Sequence, residues 1–189
     1  MANLNQIAKS IILVLMVVAV PGAIVDAALS TPSGGPESDI AATLKDYRAW
    51  TRVNDSPYRI SPSVSVLCTA PSTTPGNPHA DPRAAAFINV YANSRAATVM
   101  LKHAGTAFPV GSIIVKEKLI DEHSSEPGLL TVMIKRKPGY NPSAGDWEFA
   151  VLDGKGISVQ ARGRLANCAE CHITKSKSDF IFGSYLTSK

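Results

Sequence analysis

Two cysteines and a histidine close to the C-terminus constrain the fold of this chain more than any other feature of its sequence. Cys168, Cys171 and His172 form a Cys-x-x-Cys-His motif, which is the spacing that attaches a c-type haem. Each thiol adds across one vinyl group of the haem, and the adjacent histidine is held where a ring nitrogen can bind the iron. The sequence therefore predicts one covalent haem c, with His172 as an iron ligand, in a fold that wraps around it.

A Cys-x-x-Cys pair also occurs in redox dithiols and in zinc sites, so both alternatives have to be weighed. A thioredoxin-like dithiol is expected at the first strand-to-helix junction of a βαβ unit, whereas this pair lies near the end of the chain. A structural zinc needs a fourth ligand. The remaining candidates are scattered singly: Cys68, His79, His103 and His123. The context favours haem.

The N-terminal residues have the pattern of an export signal, which suits a haem that is attached outside the cytoplasm. An uncharged apolar run at 11–20 precedes Val25 and Ala27, small residues that fit a signal peptidase site. We predict a signal peptide at residues 1–27, a flexible tether at 28–37 and a single haem domain at 38–189, located in the periplasm. A membrane anchor that is not cleaved is the alternative interpretation.

The net charge bears on the class of partner, and the third cysteine on whether the chain has a reactive thiol. The formal net charge of +4 is too small and too dispersed to favour nucleic acid as a partner. Cys68 would be left over once haem takes the other two thiols, and its apolar neighbours predict a buried hydrophobic residue rather than a reactive one.

Hydrophobic periodicity predicts an α+β domain. A helix is expected from Ser38, with Ile40, Leu44 and Tyr47 along one stripe, and a second helix at 94–103 with Asn93 as its N-cap. The predicted strands are 64–68, 87–91, 112–120, 129–136 and 147–152. Because no long helical crossovers separate the later strands, we expect a predominantly antiparallel β-sheet with a few short helices and the haem motif on a short C-terminal helix.

Several blocks of the sequence resemble the cytochrome P460 family. Besides the haem motif, these are residues 46–50, 108–117, 145–149 and 178–182. The blocks occur in the order found in the family, and the resemblance extends over about residues 40–186. It implies a periplasmic, mostly β-sheet protein with one haem c, usually a homodimer, whose iron is open on one side.

The resemblance also singles out Lys116. One branch of the family oxidises hydroxylamine with a haem that is cross-linked to a lysine, whereas the related cytochrome c-prime-beta branch lacks the link and binds small gases such as nitric oxide. The cross-linked lysine lies between Val and Glu in the family's strand, and Lys116 lies between Val115 and Glu117 here. Lys116 is therefore a candidate for a catalytic cross-link. The strand pattern alone leaves open whether its amine faces a haem edge or the solvent.

No Met, His or Cys follows His172, so a sixth iron ligand would have to come from upstream. The residues available for that are Met100, Met133, His79, His103 and His123. We expect five-coordinate iron, which binds small molecules. The primary hypothesis is an oxidoreductase that acts on hydroxylamine or a similar small nitrogen compound, with a periplasmic electron carrier as partner. The alternatives are a binder of small gases and a simple electron carrier.

Catalysis of this kind also needs side chains around the iron. Candidate proton acceptors are Glu117, Glu148 and Asp153. Candidate donors to a bound ligand or to a haem propionate are Arg162 and Arg164. Aromatic residues that could line an apolar pocket are Phe87, Phe108 and Phe149.

Overall fold

A seven-stranded antiparallel sheet is the framework of the computed structural model, which describes residues 36–67, 86–102 and 107–186. The strands are β1 (Thr51–Arg52), β2 (Tyr58–Ile60), β3 (Ala86–Ala92), β4 (Ile113–Leu119), β5 (Leu129–Lys135), β6 (Trp147–Asp153) and β7 (Val159–Gly163). The α-helices are α1 (Pro36–Leu44), α2 (Pro62–Leu67), α3 (Ser94–Met100) and α4 (Ala166–His172). The predicted signal peptide, Cys68, His79 and His103 lie outside the described residues.

The sheet follows the order of the chain from β3 to β7, and β1 and β2 both pair with β3. Every pairing is antiparallel. Short connections can join antiparallel neighbours, whereas parallel pairing needs a long crossover. The α+β class with a mostly antiparallel sheet is therefore confirmed.

The register of the central strands gives the sheet two different faces. Val90, Lys116 and Thr131 lie in line across β3, β4 and β5 and so share one face. That face belongs to a buried cluster against which α4 packs. The opposite face, which includes Val115 and Val132, packs with α1 in a second cluster.

Both helices predicted from these two segments are present. The first begins at Pro36, two residues before the predicted start, and buries Ile40 and Leu44 against the sheet. The second begins as expected, because the side chain of Asn93 accepts a hydrogen bond of 3.0 Å from the backbone N–H of Ala96. Its regular part ends at Met100.

The predicted strand at 64–68 is wrong, because this segment begins within helix α2. Ser61 and Pro62 explain the difference. Proline at the first helical position is already set to the helical φ, and the carbonyl oxygen of Ser61 accepts bonds of 3.1 Å from Val64 N and 2.9 Å from Ser65 N. These two bonds start the helix and override the β preference of the valines.

Strand β7 was not anticipated from the sequence. It is an edge strand that pairs with β6, and its ladder shifts register between Val151 and Leu152. Among the described residues, none of the helices has the length and hydrophobicity needed to span a membrane.

Candidate functional site

Helix α4 presents the sequence motif to a cavity. Cys168 and Cys171 are one helical turn apart and therefore on the same face of the helix, and His172 follows directly. All three side chains are half-buried and line a cavity of about 490 Å³. This volume is within the range of pockets that hold cofactors and other small molecules.

The wall opposite the motif is the α4-facing side of the sheet. Its apolar lining comes from four neighbouring strands and consists of Ile88, Val90, Ile114, Met133 and Phe149. The loop after α4 adds Ile181 and Phe182. An apolar wall of this kind suits the face of a planar aromatic ligand, because contact with it removes apolar surface from water.

The imidazole of His172 is held in one orientation. Its Nδ1 lies 2.6 Å from the carbonyl oxygen of Phe180, and because a carbonyl can only accept, Nδ1 is the protonated nitrogen. The ring also packs against Phe149 and Phe182, with ring centroids 5.5 and 5.1 Å away. This leaves Nε2 as the nitrogen available to a metal, which is the arrangement typical of metal-binding histidines.

The surroundings of His172 also favour its neutral form. Burial lowers the pKa of the imidazole to about 4, and the positive charge of Lys116 acts in the same direction, against the opposing effect of the Phe180 carbonyl. The imidazole is therefore neutral at physiological pH, and neutral imidazole is the form that binds metal ions.

Lys116 lines the same cavity as the motif. Its side chain is half-buried, and its cross-strand neighbours on β3 and β5 are Val90 and Thr131. Of the two orientations that the sequence left open, the structure therefore has the one that faces the cavity. Lys118, on the same face, is completely buried and donates from Nζ to the carbonyl oxygen of Ser65 over 2.7 Å.

The three carboxylates considered as proton acceptors are not among the residues that line the cavity. Glu117 points to the other face of the sheet, where it accepts hydrogen bonds from Tyr47 and Arg48, each 2.7 Å long. Glu148 is also buried there. Asp153 accepts hydrogen bonds from the backbone of the β6–β7 turn. All three carboxylates are therefore placed for structural hydrogen bonds outside the cavity, Glu148 with the arginines described next.

The two arginines have structural partners as well. Arg162 donates to Glu148 over 3.0 Å, and Arg136 pairs with the same carboxylate. The guanidinium of Arg164 lies 5.3 Å from the ring centroid of Tyr140. Neither Arg162 nor Arg164 lines the cavity, so the expected role at a bound ligand is not supported by their positions.

The methionine, histidine and phenylalanine candidates differ in whether they line the cavity. Met133 and Phe149 line the cavity, whereas Met100 and Phe108 are buried outside its lining. His123 is exposed and faces Glu122 in a surface turn. Phe87 is half-buried and on the other face of the sheet, because it pairs with Leu119.

Several polar residues at the cavity were not anticipated from the sequence. They are Tyr58, Arg59, Thr131, Asn167, Lys175 and Tyr185. Thr131 could have been inferred from its register opposite Lys116. The others lie on short elements or loops, where no periodic pattern marks the inward-facing side.

The donor set fits a haem that is attached covalently. Two thiols on one helix face, an imidazole with Nε2 available and an apolar wall are what a c-type haem requires. Within the described residues, no group of three or more His, Cys, Asp or Glu side chains could hold a bare metal ion.

Comparison with known proteins agrees with this geometry. The family model described as Cytochrome P460 matches residues 44–183, a range that includes the motif, Lys116 and nearly all of the cavity lining. No curated protein sequence matches the chain.

Proposed function

The chain belongs to the cytochrome P460 family and is a haem c cytochrome, and from this premise we propose that the cavity beside α4 holds one haem. In this proposal Cys168 and Cys171 form the two thioether bonds and Nε2 of His172 binds the iron. The bound haem supplies an iron centre that exchanges electrons and accepts a small ligand.

The observation that carries the proposal is the hydrogen bond between Nδ1 of His172 and the carbonyl oxygen of Phe180. It fixes the tautomer, so that the lone pair of Nε2 is available, and it makes the imidazole a stronger ligand. The same residue is neutral because it is buried. His172 therefore needs neither a proton loss nor a rotation to act as a ligand.

We propose that the protein oxidises hydroxylamine or a similar small nitrogen compound and passes the electrons to a periplasmic carrier. Lys116 supports this function, because it lines the cavity together with both cysteines and His172. A bond from its Nζ to the haem edge would interrupt the conjugation of the macrocycle and so change the properties of the iron.

The second candidate function is the binding of nitric oxide or another small gas, without a cross-link. The apolar sheet wall of Val90, Ile114 and Met133 supports it, because uncharged diatomic molecules do not need a polar site. The two functions differ in whether Lys116 is bonded to the haem.

The test is the optical spectrum of the dithionite-reduced protein, produced in a periplasm with haem maturation and recorded both native and unfolded. If Lys116 is linked, the Soret band is shifted to long wavelength in both states, and Lys116→Ala returns it to the position of an ordinary haem c. Lys175→Ala is the matched control, because Lys175 also lines the cavity but from the segment after α4.

The outcomes distinguish the two functions and also test the haem site itself. A shifted band that depends on Lys116, with oxidation of hydroxylamine in the presence of an electron acceptor, supports the first function. An ordinary haem c spectrum, with tight nitric oxide binding, supports the second. If the protein carries no covalent haem, the assignment of the cavity is wrong.

Location and assembly remain predictions. We propose export to the periplasm and a homodimer, as the family resemblance implies. Cell fractionation and light scattering of the haem-loaded protein test them, and a monomer in the cytoplasmic fraction would contradict both.

A further inference from the structure

The loop that follows α4 has a backbone conformation that is unusual for its residues. Asp179 and Phe180 are consecutive and both have positive φ, +49° and +66°. For residues other than glycine this region is unfavourable, most of all for a bulky one such as Phe180. A conformation of this kind persists when the surrounding structure holds it in place, and it occurs often at functional sites.

Three parts of the fold hold Asp179. The Nζ of Lys135, from β5, lies 2.7 Å from each carboxylate oxygen. The backbone N–H of Phe108 donates to Oδ2 over 2.7 Å, and the indole Nε1 of Trp147 donates to the Asp179 carbonyl oxygen over 2.9 Å. The ion pair between Lys135 and Asp179 is largely shielded from water, since only 11% of the Lys135 side chain and 14% of the Asp179 side chain are exposed.

The neighbouring residue Phe180 links the anchored Asp179 to His172. Its ring lies over Gly145, where a Cβ would come within 2.5 Å of the ring, and its backbone N–H donates to the carbonyl oxygen of Lys175 over 2.8 Å. With both its ring and its N–H held, its carbonyl oxygen points at Nδ1 of His172. Asp179 itself is not among the residues that line the cavity.

We infer that Asp179 is a positioning residue for the iron ligand. Anchored by Lys135, it keeps Phe180 in the left-handed conformation in which the carbonyl oxygen accepts the hydrogen bond from His172 Nδ1–H. It thereby sets how basic the imidazole is, and so how strongly the ferric state of a bound haem is favoured over the ferrous state. This inference rests on the proposed haem site, but it concerns the support of that site and not its reaction.

The test uses the haem-loaded protein and two variants that disturb the anchor from different sides. Asp179→Gly removes the carboxylate but still allows positive φ, and Lys135→Met removes the ammonium and keeps most of the side-chain length. The measurements are the iron–histidine stretching frequency of the reduced protein, by resonance Raman spectroscopy, and the reduction potential. Asp153→Gly is the control, because Asp153 accepts two backbone hydrogen bonds in the turn after β6.

We expect both anchor variants to lower the stretching frequency and raise the potential, because the imidazole loses part of its hydrogen bond. A tenfold loss in the preference for ferric iron corresponds to about 59 mV for a one-electron couple. Asp153→Gly should change neither value. If Asp179→Gly does not fold, Lys135→Met decides the question.

Two results would overturn the inference. One is an unchanged frequency and potential in anchor variants that carry haem, and the other is an equal shift in the Asp153 control. Failure of the haem site itself has a different signature, since the unsubstituted protein would then carry no covalent haem.

Discussion

Lys116 lines the cavity beside α4, whereas Lys118, two residues further along the same face of β4, is completely buried against the carbonyl oxygen of Ser65. If a cross-link forms, we therefore expect it at Lys116. Trypsin does not cut after a lysine whose Nζ is bonded to another group. Digestion should therefore leave the peptide bond after Lys116 intact and yield one haem-bound product that contains the peptides of Lys116, Cys168 and Cys171, as mass spectrometry can show.

Lys116→Arg is the matched variant for this digest. It keeps the positive charge and a tryptic site but removes the amine, so the β4 peptide should separate from the haem peptide. A cross-linked product that contains Lys118 bonded to haem would contradict the structure.

Alanine substitutions at Gly139 and Gly145 distinguish the cost of backbone strain from the cost of a steric clash. Both have positive φ, +91° and +62°, but a Cβ at Gly139 meets nothing within 4 Å, whereas one at Gly145 would overlap the Phe180 ring. We expect Gly139→Ala to reduce the free energy of unfolding by about 1 kcal/mol. Gly145→Ala should reduce it by about 2–4 kcal/mol, because strain and overpacking add. Urea unfolding of both variants checks this, and equal losses would show that Phe180 can move away.

Tyr47 donates to the buried carboxylate of Glu117 over 2.7 Å. Burial, together with the hydrogen bond and the charge of Glu117, raises the pKa of the phenol well above its ordinary value, so the donor keeps its proton. Tyr47→Phe leaves a charged acceptor short of one partner and should lower the free energy of unfolding by about 1.5–3 kcal/mol. The haem spectrum should not change, because the contact lies on the far face of the sheet.

A double-mutant cycle identifies the interaction responsible. In a Glu117→Gln background the same Tyr47→Phe substitution should cost much less, since the two residues are in direct contact. Additive losses would mean that the hydroxyl acts through some other partner.

Stability should depend on pH through Glu148. Burial alone would raise its pKa, but hydrogen bonds and charge from Arg162 and Arg136 outweigh burial and hold the pKa below the ordinary value of 4.5. A carboxylate with a lowered pKa in the folded state contributes stability above the unfolded pKa and loses it as the pH falls through the folded value. We expect Glu148→Gln to be less stable by about 1–3 kcal/mol at pH 7, and this difference to shrink as the pH falls below the ordinary pKa of 4.5.

Urea midpoints measured between pH 3 and pH 7 check this expectation. Glu122→Gln is the control, because that carboxylate is exposed in a surface turn, and its stability curve should follow that of the unsubstituted protein. A deficit for Glu148→Gln that stays constant at every pH would argue against the ion pairs with the two arginines.

The central strands could be predicted because their pattern and their environment agree. β3 to β6 combine β-branched and aromatic residues with turn residues between them, and the structure has the bounds of all four within one residue of the predicted ones. β7 has the sequence Val-Gln-Ala-Arg-Gly, which has little β preference of its own. It is a strand because the edge of β6 offers it hydrogen bonds, and such tertiary effects override local preference.

The site divides in a similar way. The cysteines, His172 and Lys116 could be found because side-chain type and spacing carry their chemistry. The acceptor at Phe180 is a backbone carbonyl, a group that every residue has, so no sequence motif marks it. The misplaced candidates, Glu148 and Arg162, are chemically suitable residues. They lie diagonally across β6 and β7 on the far side of the sheet, where Arg162 donates a hydrogen bond to Glu148.

The alternation of Lys116 and Glu117 on β4 disfavours a shift in the register of this strand. If β4 slipped by one residue against β3 and β5, its two sets of side chains would exchange faces. A carboxylate would then point into the cofactor cavity, and a lysine would be placed among Tyr47 and Arg48. Both results are electrostatically unfavourable. Lys116 and Glu117 therefore disfavour the shifted register on both faces of the sheet. The charges of Lys116 and Glu117, which have partners or roles in the native sheet, thus also act against a sheet in which β4 is paired one residue out of register.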